Sequence, residues 1–187
     1  MPKPKLELKE ILLPTLSLFV ICLVIAGALA GVDAVTKEPI AANEAKAADV
    51  AREEIFPGAR FVDNGDYFTA MDQNGTPIGY CVESAAQGYG GLIKVAVGLD
   101  LKGNVTKVQI LSCDGETPGL GQKVKDEGFL EQFVGGINRF VIGISEYSAV
   151  TPIDGIASAT YSSRGVADAV NLALQTYNEQ IRGGEAQ

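Results

Sequence analysis

The chain has 187 residues, a formal net charge of −8, three cysteines and neither histidine nor tryptophan. Without histidine it cannot form a Ser-His-Asp or Cys-His catalytic group, an HExxH zinc site or a histidine-ligated haem. Its scattered cysteines cannot supply the four thiolates of an ordinary iron–sulfur cluster, and an acidic chain is poorly suited to nucleic acid. We therefore expect no metal site and no catalytic side chains, and any redox role requires an organic cofactor.

The first predicted element is the uncharged, apolar stretch 11–31. At about 1.5 Å per residue it is about 30 Å long as a helix, which matches the hydrocarbon core of a bilayer. Lysines in residues 1–10 favour a cytoplasmic tail before this transmembrane helix. A cleaved signal peptide is the alternative, since Ala28-Leu29-Ala30 has the small-residue pattern of a cleavage site. The length of the stretch favours a retained anchor, and either reading places the rest of the chain outside the cytoplasm.

Residues 32–45 are predicted to be a linker, and residues 46–187 are long enough for one domain. A helix-favouring run from Ala45 ends before Pro57-Gly58. Two β-hairpins follow, because alternating apolar strands flank an Asn-Gly turn and then the turn at 100–104. These strands predict a four-stranded antiparallel sheet with one covered face.

Two helices are predicted after the hairpins. A short one lies within 123–134, and the apolar spacing from Val166 to Ile181 predicts a terminal helix capped by Ser162 or Ser163. The expected fold class is α+β, an antiparallel sheet with flanking helices on one N-terminal transmembrane helix. Cys81 and Cys113 either form a disulfide or remain two small buried thiols, and their spacing does not decide between these states.

A segment of small and hydroxyl residues lies immediately before the terminal helix. A helix N-terminus presents free N–H groups and the positive end of the helix dipole, which suits a phosphate. Small side chains allow a bulky group to approach the backbone, and a threonine hydroxyl follows. The candidate residues in this segment are Asp154, Ser158, Ala159 and Thr160. On composition alone, a Ser/Thr-rich loop before an ordinary helix is the simpler interpretation.

A second candidate segment is Glu-Thr-Pro-Gly-Leu-Gly. Pro-Gly indicates a turn, and two glycines expose the backbone to a ligand, although a plain strand-to-helix connection has the same features. The candidate residues here are Glu116, Thr117, Gly119, Leu120 and Gly121. A glycine-rich loop, residues 88–91, precedes one predicted strand, and its Tyr89 is not counted among the candidate site residues.

Together the two segments resemble the two signatures of the FMN-binding domain family, in the same order along the chain. The chain is similar to the G subunits of Rnf-type ion-translocating oxidoreductases, and it shares both motifs with the C subunits of sodium-translocating NADH:quinone reductases. Family members more often have Ser-Gly-Ala-Thr where this chain has Ala157-Ser158-Ala159-Thr160. Loss of that glycine matters if the position requires a positive φ.

The resemblance implies FMN attached through a phosphoester to Thr160 by a flavin transferase, with Asp154 part of the recognition pattern. It implies an electron-relaying component of a membrane complex that works between ferredoxin and NAD, beside iron–sulfur and flavin subunits and not active alone. Coupling to sodium or proton translocation would reside in other subunits. The alternatives are a C-type subunit, an anchored ligand-binding module without redox activity, and a self-contained extracytoplasmic reductase.

Overall fold

The computed structural model describes residues 8–143 and 150–183, and the chain divides into two compact units, Met1–Asn43 and Glu44–Gln187. Helix α1, Leu8–Ile55, begins in the first unit and ends in the second. It contains a stretch that is long and apolar enough to cross a membrane. The predicted linker is also helical, because its four alanines, two glutamates and single lysine are good helix formers.

The second unit contains a five-stranded antiparallel sheet in the order β1-β2-β3-β4-β5. Its strands are β1 Arg60–Asp63, β2 Phe68–Met71, β3 Pro77–Gln87, β4 Leu92–Leu99 and β5 Val105–Ser112. The two predicted hairpins, β2–β3 and β4–β5, are confirmed. The prediction of four strands is wrong, because the short and mostly exposed β1 lacks the apolar alternation that would reveal it.

Short helical segments and a second sheet follow β5. They are two 3-10 turns, Gly121–Lys125 and Glu131–Phe133, on either side of α2 Glu127–Leu130, then the parallel strands β6 Arg139–Ile142 and β7 Val150–Ile153. Helix α3, Thr160–Thr176, continues as a π-helix, Tyr177–Arg182. The short helical region and the terminal helix are confirmed, whereas the sequence did not predict the parallel pair.

Both faces of the five-stranded sheet are covered, which corrects the expectation of one covered face. Val95 and Val97 of β4 pack with α3 in the main core, while Ala96 packs with Ala51 and Ile55 of α1 on the other face. The helix can approach because Gly98 has no side chain: a Cβ there would lie 2.2 Å from the Ile55 Cγ2 atom.

The last turns of α1 are also joined to the sheet by polar contacts. The Arg52 guanidinium pairs with Glu83 of β3 and lies 4.1 Å from the centre of the Phe68 ring. Lys94 of β4 forms an ion pair with Glu44 at 2.8 Å. The sheet that carries the candidate site is therefore packed on the end of this helix.

The two cysteines of the domain are free and buried. Cys81 lies in the α1-facing cluster and Cys113 in the main core, so the sheet separates them and the buried-thiol alternative holds. Burial and, to a smaller extent, the nearby Glu83 carboxylate raise the pKa of the Cys81 thiol from 9.0 to about 12.

This shift predicts that the domain loses stability in alkali. Above the ordinary thiol pKa, Cys81 ionises in the unfolded chain before it ionises in the folded one. The free energy of unfolding should therefore fall by up to about 1.4 kcal/mol per pH unit as the pH rises from the unfolded towards the folded pKa. Urea denaturation across this range measures the slope. The Cys81→Ala variant should have a shallower slope, and identical slopes would contradict the prediction.

Candidate functional site

Three segments that are distant in sequence meet around one cavity of about 300 Å³. They are the loop before β4, the loop after β5 and the start of α3. The residues that line the cavity are Tyr89, Thr117, Leu120, Gly121, Ser158, Ala159, Thr160, Tyr161 and Ser162. The volume lies at the lower end of the range for ligand pockets, so the cavity has room for part of a nucleotide-sized ligand.

Thr160 is the first residue of α3, and its exposed side chain lines the cavity. The N-cap residue is Ala159, which makes no side-chain capping bond. The first N–H groups of a helix have no acceptor within it, and they carry the positive end of its dipole. A hydroxyl therefore lies beside an electropositive, uncapped helix end, which is a suitable place for a phosphate.

The prediction that Ser162 or Ser163 caps this helix is wrong, because both lie inside its first turn. Ser163 Oγ instead accepts the N–H of Ile156 at 2.9 Å and donates to the Ala159 carbonyl at 3.0 Å. These bonds tie the segment before α3 to the helix. They hold the N-terminus in place without occupying its first N–H groups.

Ser158 has a φ of +62°, the only positive φ of a non-glycine residue in the described part of the chain. This φ lies in the left-handed region that favours glycine, so a serine here adopts a conformation that is unusual for a residue with a side chain. A side chain in that conformation costs about 1–2 kcal/mol. The chain tolerates this strain two residues before Thr160.

Replacing Ser158 by glycine should stabilise the protein. Glycine removes the left-handed strain but costs more backbone entropy in the unfolded chain, so we expect a net gain of about 0.5–1 kcal/mol in the free energy of unfolding. Urea denaturation of the detergent-solubilised chain measures it. Ser158→Ala is the matched control, which keeps a Cβ and should give no gain; equal stabilisation by both substitutions would refute the strain argument.

Glu116 is 2% exposed and lies behind the cavity wall. Its Oε1 accepts the N–H of Gly90 at 3.0 Å, and its Oε2 accepts the hydroxyl of Ser162. The carboxylate therefore connects the loop before β4 with the first turn of α3. The sequence marked Glu116 as a candidate but gave no indication of these partners.

The remaining candidates divide into two groups. Thr117, Leu120 and Gly121 line the cavity, whereas Gly119 and Asp154 do not. Asp154 has an exposed side chain, and both its main-chain N–H and its carbonyl bond to the side chain of Gln132. A role for Asp154 in recognition by a transferase stays a prediction.

The candidate residues from the sequence did not include two tyrosines that line the cavity. Tyr89 and Tyr161 are 71% and 67% exposed, and their ring centres are 6.5 Å apart at an angle of 51°. Tyr161 directly follows Thr160 in the chain, and this adjacency was an available signal.

The cavity wall is electrically neutral. No acidic or basic side chain lines it within the described ranges 8–143 and 150–183. In the same residues, no group of acidic or cysteine side chains could hold a metal ion. The helix N-terminus is therefore the main source of positive potential that this wall offers to a phosphate.

Residues 88–175 match the family model of the FMN-binding domain, and all three segments of the cavity lie within this range. This part of the chain is therefore similar to FMN-binding domains. The α+β class is confirmed by two solved structures, each with a TM-score of 0.51. They are NqrC of Shewanella oneidensis, 24% identical, and the C subunit of the Na⁺-translocating NADH-quinone reductase of Parabacteroides distasonis, 25% identical.

The match to these solved chains is partial: it covers 63% and 59% of this chain, and 60% and 59% of theirs.

Two relatives match over nearly the whole length. The chain is 29% identical to the G subunit of the ion-translocating oxidoreductase complex of Methanosarcina acetivorans, over 92% of this chain and 97% of the relative. It is 28% identical to the G subunit of the Na⁺-translocating ferredoxin:NAD⁺ oxidoreductase complex of Acetobacterium woodii, over 94% and 95%.

Proposed function

We propose that this chain is the electron-carrying G subunit of a membrane-bound, ion-translocating ferredoxin:NAD oxidoreductase, with FMN joined through a phosphoester to Thr160. One observation carries the proposal: within an FMN-binding domain, the Thr160 hydroxyl lies at the uncapped N-terminus of α3, on the wall of a cavity. Similarity to two G subunits over nearly the whole chain supports the complex.

The residues present fit a flavin mononucleotide at both ends. The first N–H groups of α3 can receive phosphate oxygens, and the small residues Ser158 and Ala159 leave the backbone accessible. The exposed rings of Tyr89 and Tyr161 line the same cavity. When bound, FMN supplies one- and two-electron storage, which the side chains of this chain do not provide.

Attachment requires a partner enzyme and an activated donor. The Thr160 oxygen forms a bond to the flavin phosphorus as the donor's leaving group departs, and a flavin transferase accepts the hydroxyl proton. The exposure of Thr160 leaves its oxygen accessible to such an enzyme. A covalent bond also compensates for the absence of a cationic side chain on the cavity wall.

We assign the apolar part of α1, residues 11–31, as a membrane anchor that follows a cytoplasmic tail and precedes an extracytoplasmic FMN domain. The lysines before the stretch support this orientation. The proposed partners are the membrane, iron–sulfur and flavin subunits of the complex. Similarity to the C subunits of NADH:quinone reductases is the main argument for the alternative, and it covers less of the chain than similarity to the G subunits.

Intact mass spectrometry tests the proposal directly. The full chain, purified from a host with an active flavin transferase, should gain the mass of one FMN less one water. Peptide mapping should place that gain on the peptide containing Thr160. The same chain from a host lacking the transferase is the control and should have the mass of the unmodified polypeptide. An unmodified chain from the competent host would contradict the proposal.

A further inference from the structure

We infer that Tyr89 and Tyr161 form an aromatic pair that contacts the flavin ring, and that Glu116 is a positioning residue that fixes the spacing of the two rings. The inference rests on the proposed function and extends it to the ring end of the site. It names the side chains that meet a planar conjugated ligand.

The exposure of the two rings is the first observation. Large aromatic side chains usually bury most of their surface, as Tyr80 and Tyr177 do in the core of this domain. Tyr89 and Tyr161 instead keep about two thirds of their surface exposed, and both line the cavity. They approach each other from different segments, the loop before β4 and the first turn of α3.

The second observation concerns what holds the pair in place. Gly90 follows Tyr89 in the chain, and Ser162 follows Tyr161. Glu116 accepts one hydrogen bond from the main chain of Gly90 and one from the side chain of Ser162. A single buried carboxylate thus binds the immediate neighbour of each tyrosine, and it fixes the spacing of the two rings.

The Glu116 carboxylate has little room to move. A Cβ at Gly88 would lie 2.3 Å from Oε1, and a Cβ at Gly121 would lie 2.6 Å from Oε2. The backbone therefore packs directly against both oxygens. Two hydrogen bonds and close packing hold this carboxylate in one position. Because its partners are the neighbours of Tyr89 and Tyr161, the positions of the two rings are fixed as well.

The chemistry of the cavity indicates a flat and largely apolar ligand at this end. Two phenol rings, the Leu120 side chain and an uncharged wall favour an aromatic ring system over a sugar or a second phosphate. The phosphate end is accounted for by the N-terminus of α3. Ring and phosphate sites then lie along one wall, and Thr160 and Tyr161 are adjacent on it.

Flavin emission tests the contact, because a phenol ring in contact with a flavin quenches its fluorescence and a phenylalanine ring does not. The full chain carrying FMN is compared with its Tyr89→Phe and Tyr161→Phe variants at equal flavin content. Each should emit about twofold more, because each variant keeps the ring contact but removes one of the two phenols that quench the flavin. Tyr67→Phe is the matched control, because Tyr67 packs against Tyr80 instead of lining the cavity, and its emission should equal that of the wild type.

Glu116→Gln tests the positioning role. The amide keeps the side-chain volume but cannot accept the hydrogen bonds of both Gly90 and Ser162, so the flavin emission should rise. Adding Tyr161→Phe to Glu116→Gln should then increase the emission by less than Tyr161→Phe does in the wild-type chain. Ser162→Ala removes the hydroxyl that donates to Glu116 and should also raise the emission. This variant tests the positioning role even if Glu116→Gln does not fold. The exposed Glu127 provides the control substitution, Glu127→Gln.

The outcomes separate this inference from the proposed function. A wild-type chain without flavin contradicts the proposed function and, with it, the tyrosine contact. A wild-type chain with attached flavin whose emission is unchanged in both tyrosine variants contradicts the contact alone. Increased emission in those variants but not in Glu116→Gln or Ser162→Ala contradicts the positioning role.

Discussion

Thr160→Ala is expected to abolish flavin attachment completely, since alanine has no oxygen to form the ester. In a host with an active transferase, the variant should show no fluorescent band after denaturing electrophoresis and should have the mass of the bare polypeptide. Thr160→Ser retains a hydroxyl at the first position of α3 and should still acquire flavin.

Thr117→Ala is the matched control for this result. It removes another hydroxyl from the same cavity, so it should retain covalent flavin. A Thr160→Ala chain that still carries covalent flavin would move the attachment to another residue. Loss of flavin in both variants would indicate damage to the cavity instead of loss of the acceptor atom.

The second large effect is expected from Gly90→Ala. A Cβ at Gly90 would lie 1.7 Å from the main-chain carbonyl oxygen of Gly115, so one of the two loops must move. Gly90 also donates the hydrogen bond that Glu116 Oε1 accepts. Steric strain together with this lost bond should lower the free energy of unfolding by about 3 kcal/mol, and urea denaturation measures the loss.

The neighbouring glycine provides the control for this steric argument. A Cβ at Gly91 would lie 3.8 Å from its nearest neighbour, the Gly115 Cα, which is an ordinary contact distance. Gly91→Ala should therefore change stability by less than about 1 kcal/mol. If the two substitutions destabilised the protein equally, loop flexibility and not close approach would be the reason for glycine at both positions.

The parts of the fold that depend on local patterns could be predicted from the sequence. The turns between β2 and β3 and between β4 and β5 each have residue types that favour one geometry, and alternation then fixes which face of each strand is buried. The apolar spacing after Val166 likewise predicts α3. The position of Ser158 was identified as one that would matter if φ were positive, and its φ is positive.

The parts that depend on distant contacts could not be predicted. Nothing near Glu116 in the chain indicates that its partners are Gly90 and Ser162, because sequence spacing carries no information about loops brought together by the sheet. The N-cap prediction failed for a similar reason: Ser163 bonds to Ile156, so its hydroxyl is engaged outside the usual capping geometry. Cys81 and Cys113 are separated by the sheet, and their spacing alone does not show it.

The neutral cavity wall has a consequence for how the protein would keep its cofactor. A free phosphate monoester carries about two negative charges near neutral pH, whereas a diester carries about one. The partial positive charge of a single helix N-terminus balances the one charge of the diester better than the two charges of the monoester. Reversible exchange with dissolved nucleotide would therefore be weak, and each polypeptide would be loaded once, during its maturation, and keep that flavin until it is degraded.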